Sequence, residues 1–281
     1  MLINYKSCAV YQANIPNYIF TVNPTPADAV VTLTAPGYTQ VGNSIEVAQG
    51  TTVSCTVSRA GLTTYTNTYI VNSTTTENIT LTYPVGTILF ESNIPGAYSY
   101  TYNPLVPVTS CTLMVAGAGG GPAHGLIDAQ NRDPAGNGEL LTTTQALQMG
   151  DILSGILGQG GLGTDSYSIG NPNYGSGYSN GTSGSLVGSG MYRRQGGGGA
   201  GSSSLAINNV LVLEASGGAG MSNATAIGGT GGGPNGGTSG PTTSTAGNGE
   251  GAIAGYFIEQ GGITTGIAGG NGYVKIIVEV P

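Results

Sequence analysis

Charge is what this sequence has least of. Only 7% of its residues are Asp, Glu, Lys or Arg, against roughly a quarter in an average globular domain. Soluble enzymes rarely look like this, and no enzyme activity is expected. Six basic residues against thirteen acidic ones leave a net charge of −7. Phosphate backbones need a basic surface, so the balance argues against nucleic acid as a partner. Tryptophan is absent, and His124 is the one histidine. A hydrolase triad or a histidine metal centre would rest on that single ring, in a Gly-Pro-Ala-His-Gly setting. Cys8, Cys55 and Cys111 make an odd count with no close spacing. That excludes a disulfide framework and a zinc signature, and leaves buried free thiols or a single disulfide. No apolar run approaches the ~20 residues of a membrane helix, so membrane insertion is not expected. Met1 to Lys6 lack the apolar core of a signal peptide. That points to a virion component made in a host cytoplasm rather than a secreted protein.

What is abundant is glycine. Only four of the 52 Gly residues precede Gly86. From there they cluster, as in Gly119-Gly120-Gly121, Gly196 to Gly199, Gly217-Gly218, Gly228-Gly229, Gly231 to Gly233, Gly236-Gly237, Gly261-Gly262 and Gly269-Gly270. Glycine costs more backbone entropy on folding than any other residue. A chain this rich in it either stays disordered or uses it where a side chain cannot fit. Between the clusters lie β-type runs, Thr112 to Ala116, Asp151 to Leu157, Leu205 to Leu213 and Tyr273 to Val280. A flexible linker would not contain them. The fold class is therefore all-β, with strands alternating with tightly packed glycine segments.

The change in composition near Pro84 divides the chain. Residues 1–20 are either the first strand of the next domain or a docking arm for a neighbouring subunit. Residues 21–84 read as a small β-sandwich. Short β-branched runs (29–35, 44–47, 51–57, 64–71 and 78–83) are separated by turns at Pro36-Gly37, Gln49-Gly50 and Arg59-Ala60-Gly61. Val53, Cys55 and Val57 alternate with Ser54 and Thr56, so one face is buried. Ala29 to Thr34, Gly50 to Val53 and Thr80 to Thr82 resemble small immunoglobulin-like modules of bacterial surface and phage proteins. That likeness implies a spacer or anchor without chemistry.

Residues 85–281 carry an ordered set of pieces. They open with Phe90, Pro95, Gly96 and Tyr98, followed by Val115-Ala-Gly-Ala-Gly-Gly-Gly121. Leu157-Gly-Gln-Gly-Gly161, Gly197-Gly-Gly-Ala-Gly-Ser-Ser203 and Glu214-Ala-Ser-Gly-Gly-Ala-Gly220 come next, and a Gly-Gly-x-Gly-Tyr-Val strand closes the chain. This order resembles the glycine-rich domain family. Its members include the glycine-rich domain of anaplastic-lymphoma-kinase-type receptors and glycine-rich phage tail-fibre adhesins. The resemblance implies a β-sandwich supporting packed polyglycine-II-type helices. Physics agrees: a left-handed three-residue helix makes no internal hydrogen bonds, so neighbouring segments must satisfy its backbone.

Two motifs look catalytic and lack the context to be so. Gly158-Gln-Gly-Gly-Leu-Gly163 matches the dinucleotide pattern, but no helix start follows to hold a pyrophosphate. Gly177-Tyr-Ser-Asn-Gly181 matches the nucleophile elbow, again without a helix. His124 with Asp128 or Asp133 lacks further metal ligands. No cofactor and no metal are expected.

The better functional candidate is the polar stretch 165–195. It holds Tyr167, Tyr174, Tyr178 and Tyr192, together with Arg193 and Arg194. Tyr with Ser, Gly and Asn is the composition of recognition loops. Arg pairs with carboxylate or phosphate. A virion fibre or adhesin fits, anchored by its N-terminal module and binding a host cell-surface glycan or protein. The alternative is a subunit of an extracellular filament or surface layer, joined to its neighbours through residues 1–20. Either protein would form homo-oligomers. The reading of the glycine stretch as folded is checked by hydrogen exchange. Protected amides are expected between Gly217 and Gly272, and fast exchange throughout would mean a linker.

Overall fold

The computed structural model describes residues 15–121, 135–162, 174–183, 186–187, 194–195, 198–221, 231–234, 256–260 and 263–281. They contain strands and no helix, so the chain is all-β. Contacts divide the chain into two compact units. Pro84 ends the main part of the first, which also takes Leu105–Pro107, and the second holds Val85–Pro104 and Val108–Pro281.

Among the described residues the first unit has seven strands: β1 (Asn17–Thr25), β2 (Val30–Thr34), β3 (Gln40–Val41), β4 (Ser44–Ala48), β5 (Thr51–Ser58), β6 (Tyr65–Val71) and β7 (Thr75–Thr80). They form a sheet in the order β3-β4-β1-β7 and a second in the order β2-β5-β6. Alternation sends Phe20, Val22, Ile45 and Val47 of one sheet and Val31, Leu33, Val53, Cys55 and Val57 of the other into the buried interior. Tyr18 to Phe20 belong to β1 of this unit, while residues 1–14 lie outside the described residues.

The last strand lies earlier than the 78–83 expected from sequence. β1 acts as its template, pairing in parallel from Phe20↔Thr75 to Thr25↔Thr80. Tyr83 leaves the sheet, and its hydroxyl accepts the Leu105 N–H at 2.9 Å.

Among the described residues the second unit has twelve strands. The larger ones are β8 (Ile88–Ser92), β9 (Gly96–Thr101), β10 (Ser110–Ala116), β11 (Leu140–Gln145), β12 (Ile152–Leu157), β15 (Ser203–Ile207), β16 (Val210–Ala215) and β19 (Tyr273–Val280). Between them come the short ribbons β13 (Leu186–Val187) with β14 (Arg194–Gln195), and β17 (Tyr256–Gln260) with β18 (Ile263–Ile267). The two main sheets run β11-β10-β19-β8 and β16-β15-β12-β9. Leu113, Val115, Val274 and Ile276 of the first share a core with Leu153, Leu157 and Leu205 of the second. The Phe90 and Tyr98 of the opening motif link the sheets. The Phe90 ring lies 4.7 Å from Tyr100 and 6.0 Å from Tyr98, and the Tyr98 hydroxyl donates to the Ser204 carbonyl at 2.9 Å.

Glycine segments extend from these strands. They follow β10, β12 and β16 and precede β11, β15 and β19, and antiparallel pairing puts all six at one end of their sheets. The segment 117–121 shows how they bond. The N–H groups of Gly117 and Gly120 donate to Glu139 and Gly136. Those of Ala118 and Gly121 donate to Gly201 and Gly198, and that of Gly119 to Gly270. The donor direction therefore returns every third residue. Carbonyls of Ala118 and Gly121 accept from Gly218 and Met221, and that of Gly119 from Gly161. Buried backbone groups need partners, and here each segment supplies them to several others.

No side chain can stand between such backbones. A Cβ at Gly120 would fall onto the Ala219 carbonyl, one at Gly160 onto that of Gly269, and one at Gly218 onto that of Gly136. These positions do not have a left-handed φ, so closeness rather than conformation demands glycine there. Gly231 to Gly233 and Gly269 take part, whereas Gly228-Gly229, Gly236-Gly237 and Gly261-Gly262 lie outside the described residues.

Two outcomes are expected. Gly120→Ala should cost roughly 2–3 kcal/mol through overpacking and broken backbone bonds. Gly50→Ala, where φ is 81° and the added carbon meets nothing, should cost only about 1 kcal/mol. Equal urea midpoints for the two variants would contradict the close-packing account. Burial also pushes the Tyr98 phenol well above its ordinary pKa. Its contribution to stability is therefore complete below about pH 10. It is lost as pH rises from there toward the folded value. Tyr98→Phe should flatten the alkaline fall in unfolding midpoint, and an unchanged fall would rule Tyr98 out as its source.

Candidate functional site

The six residues that lead the 165–195 stretch are divided by the structure. Tyr167, Tyr192 and Arg193 lie outside the described residues. Arg194 is in β14, paired opposite Val187 of β13. Tyr174 and Tyr178 sit together on the segment 174–183, the first half-buried and the second 49% exposed.

That segment is held to the glycine scaffold. Gly175 N–H donates to the Gly199 carbonyl at 2.8 Å, and Tyr178 N–H to that of Ser202 at 3.1 Å. Gln159 and Ser202 donate back to the carbonyls of Ser176 and Ser179. Asn180, on the same segment, is exposed and braces the turn. Its Oδ1 accepts the Gly177 N–H at 3.0 Å. The exposed Tyr178 ring is thus carried on a fixed backbone.

Glu214 completes the anchor. Its Oε1 accepts the hydroxyls of Ser179 at 2.9 Å and Ser202 at 3.1 Å, and Ser202 Oγ accepts the Ser179 N–H at 2.8 Å. The serine of the elbow-like motif is therefore tied to a carboxylate, and no helix follows it among the described residues. In the dinucleotide-like motif the described glycines are likewise engaged, while Gly163 lies outside the described residues. Gly158 and Gly160 donate to Ser203 Oγ and Asn271 Oδ1 at 3.0 and 3.2 Å, and Gly161 to the Gly119 carbonyl at 2.9 Å. Those amides face protein, not an open cradle. Among the described residues no group of three His, Cys, Asp or Glu is placed to hold a metal. His124, Asp128 and Asp133 lie outside them. Cys55 and Cys111 are buried free thiols, and burial pushes both above their ordinary pKa.

A second surface was not foreseen from sequence. A groove of about 520 Å³ is lined by Glu91, Ser92, Asn93 and Ile94 at the end of β8, and by Tyr273, Val274 and Lys275 of β19. Lys275 Nζ lies 3.6 Å from Glu91 Oε2 and 5.6 Å from the centre of the Tyr273 ring. The signal available was Lys275, one of only six basic residues. Its partner could not be known before the register Lys275↔Glu91.

No protein-family model matches the chain, and no solved structure matches it. Part of it resembles a phage fibre protein. Over 64 residues it is 34% identical to the "Head fiber dimeric protein" of Bacteroides phage crAss001. The match takes in 23% of this chain and 49% of that relative, so the chain spans about half the length of the curated relative it matches. The likeness is to a fibre-type structural protein, and the all-β architecture is in keeping with one.

Proposed function

We propose that the chain is a fibre or adhesin protein of a phage virion. The observation that carries this is the 64-residue similarity to a head-fibre protein. In this reading the first unit is an immunoglobulin-like sandwich that anchors the protein. The glycine segments form polyglycine-II-type helices, for which the support is the donor direction that returns every third residue along 117–121. Such a bundle is stiff, because each strand of backbone is bonded on several sides. The relative is named as dimeric, and this chain is taken to work with further copies of itself or other virion subunits.

Recognition of a host glycan or protein is assigned to the 165–195 stretch. Tyr178 offers an aromatic face on a held backbone, suited to stacking on a sugar or a protein surface. Arg193 and Arg194 supply charge that a carboxylate or phosphate would pair with. The Glu91–Lys275 groove, with a ring, an amide and an exposed ion pair, is a second place where a sugar unit would fit.

Electron microscopy with a gold-labelled antibody against the chain tests the setting. Label on virion appendages is expected. Label confined to free filaments or a cell-surface layer would replace this reading with that of an extracellular subunit. Changing Tyr174, Tyr178, Tyr192, Arg193 and Arg194 together to Ser tests the site. Assembly should survive and attachment to host cells should be abolished. Normal attachment would move recognition elsewhere, and failed assembly would make the stretch a subunit contact.

A further inference from the structure

Four strands of the first unit lie at a sheet margin: β3 and β7 in one sheet, β2 and β6 in the other. Exposed strand edges recruit other chains unless they are short, charged, bulged, broken by Pro or covered. Three of the four are dealt with in these ways. β3 has two residues. β7 carries Glu77, so two copies meeting there would bring carboxylates together. β2 is covered by one side chain: Gln40 Oε1 accepts the Leu33 N–H at 2.6 Å, and its Nε2 donates to the Val31 carbonyl at 2.9 Å.

β6 is neither short, charged, bulged nor broken by Pro, and its one side-chain cap is a local bond from its own Asn67 to Thr68. It is seven residues long, Tyr65-Thr-Asn-Thr-Tyr-Ile-Val71, with no charge and no Pro. It pairs with β5 from Tyr65 to Val71 without a bulge. Thr66, Asn67 and Thr68 are exposed, and Ile70 is 67% exposed. The Thr68 N–H donates to Asn67 Oδ1 at 2.9 Å, a local bond that marks it as turned away from β5. Antiparallel alternation then turns the backbone groups of Thr66 and Ile70 outward too. Among the described residues no partner strand pairs with that side.

We propose that β6 pairs antiparallel with β6 of a second copy, about a two-fold axis at Thr68. The two three-stranded sheets become one of six. Thr68 then faces its twin, and Thr66 faces Ile70 of the copy. Self-pairing is favoured over another partner by what β6 carries. In an isologous contact every residue meets itself or a symmetry mate, so any charge near the axis meets its like. A chain of net charge −7 needs an uncharged strand for such a meeting, and β6 is one. Its outward residues Thr66, Thr68 and Ile70 are all β-branched, the type that makes good cross-strand pairs. Asn67 holds the Thr68 N–H in the free protein and releases it to the copy.

This names a partner for the proposed fibre subunit and rests on that reading only for its setting, because association is read in solution. Light scattering on the purified full chain should give the mass of a dimer. Thr68→Lys and Thr68→Glu, each alone, should halve that mass, since like charges would face each other at the axis. Mixing the two should restore it. Val41→Lys, on the exposed and separate β3, should leave the dimer intact. A monomeric wild type, a dimer that survives both Thr68 changes, or a mixture that stays monomeric would overturn the proposal. Circular dichroism on each variant shows that the fold is kept. If the mass results hold while microscopy finds no virion, the fibre setting fails and the interface stands.

Discussion

Every buried peptide group must find a hydrogen-bond partner, and the second unit meets that demand with almost no side chains. Its glycine segments run side by side, and each donates and accepts in several directions. Sheet strands face two neighbours at most. A segment such as 117–121 faces the segments at 136–139, 198–201, 218–221, 161 and 270. That is only feasible when no Cβ separates the backbones, and a methyl added at most of these glycines would strike a carbonyl. Buried Ser202, Ser203 and Ser216, with Glu139, finish the ladder where backbone alone does not reach. Ser203 Oγ accepts from Gly158, and Glu139 accepts the Ser216 N–H.

The sheets beneath supply what glycine cannot. A bundle without side chains buries little apolar surface, so the hydrophobic contribution comes from the core of Leu113, Val115, Leu153, Leu157, Leu205, Val274 and Ile276. Antiparallel strands bring the segment ends to one place, and the Phe90–Tyr98–Tyr100 cluster ties the two sheets together. Close packing of this kind leaves few positions free to carry chemistry. Among the described residues, side chains available to a partner include Tyr178 on the segment 174–183, and Tyr273 and Lys275 at the β8–β19 groove.

Much of this was legible in the sequence, because the physical signals were local. The all-β class followed from β-branched runs with glycine between them, and the buried face of β5 from the alternation of Val53, Cys55 and Val57. What was not legible depends on partners distant in sequence. Gln40 looks like any turn residue until β2 lies beside it. Glu214 is 35 residues from Ser179, and nothing in the spacing joins them. The last strand of the first unit was misplaced because its limits are set by β1, some fifty residues earlier, rather than by its own β-propensity. The recognition stretch was read by composition alone. Composition could not show that Asn180, exposed like Tyr178, has its Oδ1 engaged by the Gly177 amide.

The same fold explains why glycine motifs mislead here. In a phosphate-binding loop, glycine clears space so that several N–H groups turn toward an empty cradle beside a helix start. In this chain glycine clears space for another backbone, and the N–H groups turn toward that backbone instead. Gly158, Gly160 and Gly161 have their amides committed to Ser203, Asn271 and Gly119. To bind an anion they would have to surrender bonds that hold three segments together. The residue pattern is shared, but the use of the missing side chain is opposite. Density of glycine is therefore the better guide than any single spacing. One Gly-x-Gly in an average chain marks an approach to a ligand, whereas cluster after cluster bracketed by strands marks backbones approaching each other.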